Sequence, residues 1–577
     1  MPAPPPARRR AFLAITLLAP LLLIAAAEGV LRLTGIGQLE PLFVPVPSAN
    51  GYLQPNAAAV QRFFPDPRRA PEVSIDTTWF PASKAEGTLR IFVQGESSAA
   101  GFPYGRWASP AAMLQQRLQR AYPDRNVELI NTGMAAVTSY VLLDFADEII
   151  RQQPDAVVVY TGHNEYLGIG GVGSSLASAN SPALARAIAM LRRMHLYRAL
   201  ERGLGSLGAG PDPLAAREAT LMSRVARERS IPLGSPLYGR GLEQFRGNLD
   251  RLLAKYQAAG IPVFIGTLAS NERDQPPFAS GADPADSARA HFDKARALEA
   301  GGQAAEARRE YLAAKDRDEL RFRAPEAVNE VIRAVAAGRG ATVVDVQGAL
   351  AGASTNGIIG AELMLEHVHP NLEGYFRLAS TYFAAIVERV GPPDVTVDDE
   401  LARREIPVTA VDRLNGEYRV AMLKNDWPFV PERRPTTLPA PADRSEEIAQ
   451  SWFAGRLTWL EAMNQALAWY QQQGQDAEAA RVAVNLADAI VNADEPQYAA
   501  GLLLLKSDQP ERGQHYLERA VALDGSKVEY RLSLAQSQYM QGSVADSIAT
   551  LEAALKQFPG DERVKHWLEE MRRQSGR

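Results

Sequence analysis

Cysteine is absent from this chain of 577 residues. That absence removes disulfides, a thiolate nucleophile, thiolate metal sites and a lipid anchor on cysteine, so packing alone must hold the fold. An excess of charge of one sign is also missing. The 62 Lys and Arg residues are offset by 67 Asp and Glu, for a formal net charge of -5, and no basic block marks the footprint of a nucleic-acid binder. Histidine is scarce, with seven in the chain, so two of them close together draw notice. Long apolar runs are missing except at one place.

That place is the N-terminus, where Arg8, Arg9 and Arg10 precede the apolar run Ala11 to Ala27 and Glu28 ends it. A basic segment followed by an apolar one enters a membrane with its basic end in the cytoplasm. Gly29 to Leu33 extend the run toward the length of a spanning helix, about 20 residues. Ala25, Ala26 and Ala27 also fit a cleavable small-residue site. Both readings place the rest of the chain outside the cytoplasm, in the periplasm if the membrane is an inner one, and the first makes a single-pass signal anchor of residues 1–34.

A chain of this length divides into about two to four domains. Residues 35–87 are rich in Pro, Asn and Ala with little periodicity and read as an extended lead-in. Short β-branched runs then alternate with amphipathic stretches: Leu89 to Val93, Val127 to Ile130, Ala156 to Tyr160, Ile261 to Ile265 and Ala341 to Val346. Apolar runs of that kind are buried parallel strands with helices on both faces, a doubly wound α/β sandwich over 88–395. Ligands of such sheets bind beyond the carboxyl ends of the strands. A polar-faced helical insertion occupies 170–245, including Leu176 to Leu207 and Leu214 to Arg229. A hairpin at 288–321 sets Ala295, Leu298, Gly302, Ala307, Tyr311 and Ala314 at tetratricopeptide-like offsets.

After a linker at 396–445, residues 446–577 repeat themselves. Gly501, Asp508, Gly513, Leu517 and Ala520 recur 34 residues later as Ala535, Gly542, Ser547, Leu551 and Ala554. Small residues at those places let paired helices approach and larger ones fill the gap between pairs, the pattern of about three tetratricopeptide repeats. The concave surface of such a stack suits a protein partner.

Four turns follow predicted strands and carry the chemistry. Gly95, Glu96, Ser97, Ser98, Ala99, Ala100 and Gly101 present a sterically open serine at a strand-to-helix junction, where negative charge is stabilised. Asn131 to Ala136 form a second turn of small residues that can present backbone N–H groups. Gly162, His163, Asn164, Glu165 and Tyr166 follow the third strand, and Asn164 can aim its amide at the same space. Beyond the fifth strand come Glu366, His367, Val368, His369, Pro370 and Asn371. The offset from Glu366 to His369 lets a carboxylate hold one imidazole nitrogen and turn the other toward a nucleophile. Ser98 and His367 are the runners-up for nucleophile and base, and His163 and Glu165 read as supporting residues of their turn.

In this order the four turns resemble those of the SGNH/GDSL hydrolases. Gly95-Glu96-Ser97 matches the nucleophile turn, Gly162 and Asn164 the Gly-x-Asn block, and Glu366 and His369 the acid–x–x–His block. The GHNEY string at Gly162 to Tyr166 and the HPN at His369 to Asn371 resemble a membrane-anchored subgroup that carries tetratricopeptide repeats. The resemblance implies a flavodoxin-like three-layer αβα sandwich with a five-stranded parallel sheet, followed by an all-α repeat domain. It implies a serine esterase or O-acyltransferase with Ser97, His369 and Glu366 as triad. The oxyanion hole is then formed by Ser97, Ala136 and Asn164. Ala136 stands where the family has glycine, and Glu366 where aspartate is commoner. No metal or cofactor is implied. The substrate is an acyl ester, with acylated envelope polysaccharide as the class that fits the expected location. A different class of answer is a degenerate hydrolase domain that serves as a membrane-tethered scaffold for envelope assembly.

Overall fold

Each of the five apolar runs becomes a strand of one sheet. The computed structural model describes residues 6–64, 75–174, 191–207 and 227–574. Its strands are β1 (Phe43–Pro45), β2 (Tyr52–Pro55), β3 (Phe80–Pro81), β4 (Leu89–Gly95), β5 (Val127–Asn131), β6 (Ala156–Tyr160), β7 (Val263–Gly266) and β8 (Thr342–Val344). The last five pair in parallel in the order β5-β4-β6-β7-β8, which is the flavodoxin-like order 2-1-3-4-5. Every residue of β4 and β6 is buried, because a central parallel strand is covered on both faces. Right-handed crossovers that run first one way and then the other put helices on opposite faces. Accordingly Ser139–Ile150, Pro236–Ala258 and Glu326–Arg339 pack together on one face, and Pro110–Ala121, Val346–Gly352 and Leu372–Val390 on the other. Chain reversal in sheet order falls between β4 and β6, and that is where a crevice opens.

Local chemistry sets where the helices start. Ser109 and Ser235 each accept a backbone N–H, from Ala112 and Tyr238 at 3.2 Å, and a proline follows each cap. Asn371 caps Leu372–Val390 by accepting from Gly374 N at 3.0 Å.

Several boundaries differ from those read in the sequence. The lead-in at 35–87 is packed rather than merely extended: β1, β2 and β3 form an antiparallel sheet, and the rings of Phe43, Phe80 and Phe92 meet at 5.3 to 5.9 Å. Arg62, 5% exposed, bonds Asp144 at 2.8 Å and Glu148 at 2.7 Å. Strands of two to four residues are too short to show alternation, so single aromatics carried the packing signal. The insertion at 170–245 ends earlier, at the cap Ser235, because Pro236–Ala258 is one helix of the sandwich. Of that insertion, 175–190 and 208–226 lie outside the described residues; His195–Leu207 is helical. The stretch 396–445 contains the helices Asp399–Arg404 and Ala410–Lys424. The hairpin at 288–321 forms as Ala288–Ala300 and Ala304–Arg317, closed by Phe292 against Tyr311 at 5.4 Å.

From Arg444 to Gln574 the chain is all helical between turns. Asp494–Lys506, Val528–Met540 and Glu562–Gln574 start 34 residues apart. Gly501 lies so close to Leu517 that a side chain there would strike it, and Ala520, Ala535 and Ala554 are wholly buried. This array docks on the sandwich. Trp107 stacks on Trp459 at 5.6 Å and Arg106 donates to the Asp488 carbonyl at 2.9 Å; ahead of the array, Gly416 of the helix Ala410–Lys424 lies against the Tyr104 ring.

The N-terminal segment forms the helix Pro6–Thr34, on which Leu21, Leu22 and Leu23 are exposed. Glu28 ties its end to the body by accepting from the N–H groups of His195 at 3.1 Å and Leu196 at 2.9 Å. Among the described residues no helix is long and apolar enough to cross a membrane. The run Ala11 to Ala27 falls partly outside the residues whose side chains are described.

Candidate active site

Three turns at the carboxyl ends of β4, β5 and β6 are bound to one another. Met134 N donates to Gly95 O at 3.2 Å, Asn131 Nδ2 to Ala99 O at 2.8 Å, and Asn164 N to Glu96 Oε2 at 3.2 Å. Gly95 has to be glycine, since a Cβ would meet the Tyr160 carbonyl and the Ala99 methyl. The turn that results leaves Ser97 half-buried, while Glu96 and Ser98 are 3% and 2% exposed. Of the two adjacent serines only Ser97 can meet a substrate. The Ser98 hydroxyl donates inward to Val368 O at 3.3 Å.

The histidine comes from a tight reversal just before the capped helix. Leu365 N donates to His369 O and Asn371 N to Leu363 O, both at 2.9 Å. At its tip Glu366, 2% exposed, accepts the backbone N–H of His367 at 2.6 Å and of His369 at 2.9 Å. The same carboxylate pairs with the Nδ1 atoms of both His367 and His369. The far nitrogen of His369, Nε2, stands 2.7 Å from Ser97 Oγ. The tautomer that satisfies both sides carries its proton on Nδ1, donated to Glu366, and accepts the Ser97 hydroxyl at Nε2. Burial lowers the His369 imidazole below the usual histidine range, which keeps it neutral and able to take a proton. The Phe102 ring covers it at 4.5 Å.

Ser97, His369 and Glu366 are therefore brought into one hydrogen-bonded line. His367, the runner-up base, has its ring enclosed by Phe278, Phe322 and Phe429 at 5.4, 6.0 and 5.5 Å; within the triad it pairs with Glu366 and its ring meets that of His369 edge-on at 6.0 Å. Asn164, 8% exposed, is held by its backbone, with its N–H on Glu96 and its carbonyl accepting Gly168 N at 2.6 Å. Ala136 sits in the left-handed region at φ 58° and is linked to the same turn by Ile169 N, which donates to its carbonyl at 2.7 Å. That conformation favours glycine, so the methyl group at Ala136 is accommodated at a strained position.

Two supporting carboxyls are deeply buried. Glu96 accepts from Thr161 Oγ1 at 2.9 Å, Gly162 N at 2.8 Å and Asn164 N, and burial pushes its carboxyl up to about 8 against those bonds. Glu165 accepts from Ser139 N at 3.1 Å, Ser139 Oγ at 3.0 Å and Gln244 at 3.0 Å, and burial raises it to about 7. His163 accepts Ala324 N at Nδ1, and burial lowers it to about 3. These three pin the turn after β6 from behind. Sequence reasoning missed Phe102, whose only signal was its place beside the serine turn, and the aromatic enclosure of His367, whose rings come from three distant segments.

The tetratricopeptide repeat family model matches residues 498–562. No curated protein matches the chain. Among solved structures the chain is similar to Axe2, an acetylxylan esterase from Geobacillus stearothermophilus, at 15% identity over 54% of this chain and 99% of that one, with TM-score 0.29. It is similar to a GDSL-like lipase from Bacteroides thetaiotaomicron at 15% identity over 53% and 92%, with TM-score 0.28. It is also similar to the first tetratricopeptide domain of Spaghetti, bound to an HSP90 peptide, at 14% identity over 20% and 91%, with TM-score 0.19.

Proposed function

We propose that the chain is a serine ester hydrolase or acyltransferase that works through an acyl-enzyme on Ser97. The observation that carries this reading is the 2.7 Å contact between Ser97 Oγ and His369 Nε2, with Glu366 behind the ring. In the first half-reaction the Ser97 oxygen attacks an ester carbonyl and its proton passes to His369, whose positive charge Glu366 balances. The oxyanion is received by the N–H groups of Ser97 and Ala136 and the amide of Asn164. The tetrahedral adduct collapses as the ester C–O bond breaks, and His369 gives its proton to the departing alcohol. A second hydroxyl then attacks the acyl-Ser97 ester as His369 takes its proton, and His369 passes that proton to the Ser97 oxygen as the acyl C–O bond breaks. Water in that role gives an acid, and a sugar hydroxyl gives a new ester.

The proposed setting is extracytoplasmic and membrane-tethered. The basic residues Arg8, Arg9 and Arg10 ahead of the apolar run Ala11 to Ala27 support it, as do the exposed leucines of the helix Pro6–Thr34. The proposed substrate class is acylated envelope glycan, and the proposed role of the repeats is to bind a protein partner. Hydrolysis of 4-nitrophenyl acetate by the full-length protein in detergent, compared with Ser97→Ala, tests the chemistry. Turnover that vanishes with Ser97 is expected. Equal rates in the two proteins, or none in a folded sample, favour the scaffold reading instead.

A further inference from the structure

One buried carboxylate is divided between two histidines. Glu366 Oε1 accepts the His369 N–H at 2.9 Å and faces His369 Nδ1, whereas Oε2 accepts the His367 N–H at 2.6 Å and faces His367 Nδ1. A carboxylate has about four acceptor sites, so a donor at each of these four places satisfies it, as the burial of a charge requires. His369 turns its other nitrogen to Ser97 Oγ at 2.7 Å and is the base. The part played by His367 has to be a different one.

His367 is fixed independently of His369. Its carbonyl accepts Asn271 N at 3.0 Å, from the turn after β7. Arg323 holds that turn, donating to the Asn271 and Gln275 carbonyls at 2.9 and 3.0 Å and pairing with Asp318 at 3.1 Å. Phe278, Phe322 and Phe429 close on the ring from three separate segments. Burial among them, with His369, Arg323 and His163 as neighbours that oppose a further positive charge, holds the His367 imidazole well below the usual histidine range. A neutral imidazole carries one N–H. Phenyl rings offer it no strong acceptor and Glu366 does, so the proton belongs on Nδ1.

The acid gives the reason for such an anchor. Glutamate has one more rotatable bond than aspartate, and each free torsion lets the carboxylate swing away from the imidazole it should balance. A donor on Oε2, set in a closed aromatic box, removes that freedom. We propose that His367 is a positioning residue of the triad, donating Nδ1–H to Glu366 Oε2 so that Oε1 stays aimed at His369 while His369 gains and loses its proton. This role rests on the acyl-enzyme reading above.

Two substitutions of opposite character test it, by steady-state kinetics on 4-nitrophenyl acetate with the full-length protein in detergent. His367→Asn puts an amide N–H near the place of Nδ1 but leaves space in the aromatic box, whereas His367→Phe fills the box and removes the donor. A hydrogen bond to a charged group sets the scale: His367→Phe is expected to lower kcat about 10- to 100-fold with KM within about twofold, and His367→Asn to stay within about fivefold of the parent. Packing alone gives the reverse order. That order, equal losses, or a parent-like kcat in a folded His367→Phe overturns the proposal. A second measurement is made on the parent protein, by 15N NMR of labelled histidine, with His367 assigned as the signal absent from whichever variant folds. A proton on His367 Nδ1 supports the anchor, and one on Nε2 overturns it. A parent that turns over no ester sinks the acyl-enzyme reading, and the tautomer of His367 still decides the anchor.

Discussion

The sandwich and the repeat array bury different things. Behind the repeats' helices lie Ala479, Ala483, Ala500, Ala520, Ala535 and Ala554, with neutral polar residues such as Asn485, Gln497 and Ser537 among them. Around the strand ends of the sandwich lie Glu96, Glu165, Glu366, His163, His367 and His369, all under 10% exposed. A buried charge is costly unless it is paired. Packing alone therefore gives no reason for such a cluster: Glu366 pairs with His367 and His369, while Glu96, Glu165 and His163 are bonded to the turns around the half-buried hydroxyl. The repeats obey packing, whereas the strand ends of the sandwich gather ionisable side chains around one hydroxyl.

The contrast can be tested at both ends. Glu366→Gln leaves the shape of the turn but removes the charge that balances His369, and turnover should fall by about 10⁴-fold while the melting temperature shifts little. Asn164→Ala, read by steady-state kinetics on the same ester, should lower kcat by about 100- to 1,000-fold. In the repeats the signs reverse: Leu517→Ala empties a wholly buried site beside Gly501 and should destabilise the array by about 2 to 5 kcal/mol in denaturant unfolding. Turnover in the folded fraction should be unchanged. A loss of kcat there beyond the folded fraction would erase the division between the two regions.

A smaller effect concerns Glu96. Its folded carboxyl lies at about 8, above the ordinary value of 4.5, so the native state holds a proton that the unfolded chain releases between those values. Stability from this group is present at low pH and is lost as pH rises from about 4.5 to about 8. A tenfold difference in proton affinity between the two states corresponds to about 1.4 kcal/mol. Thermal melts of wild type and Glu96→Gln across that window should show a flatter pH dependence in the variant, and parallel curves would remove Glu96 as the cause.

Much of this arrangement was legible in the residues. Unbroken apolar runs such as Ala156 to Tyr160 mark strands covered on both faces, and the 34-residue recurrence marks the repeats. Ser97 could be singled out because it stands in a short turn after a strand, and Glu366 and His369 because two of the seven histidines flank a carboxylate at a three-residue offset; the fold draws those turns together. The lead-in was not legible, since strands such as Phe80–Pro81 are too brief to alternate and Arg62 finds its acidic partners more than 80 residues away. Nor was the enclosure of His367, because Phe278, Phe322 and Phe429 share no local pattern. Contacts between distant segments leave a trace only in the folded chain.

Labelling of Ser97 by a fluorophosphonate as a function of pH tests the central claim most directly. The reactive form has His369 neutral, and burial holds its pKa below 6.5. Mass spectrometry of the full-length protein should therefore find the label on Ser97, at a rate that is flat from pH 8 down past 6.5 and falls only below it, and that collapses in His369→Ala. Labelling at another residue, or at Ser97 with a rate indifferent to His369, would contradict it.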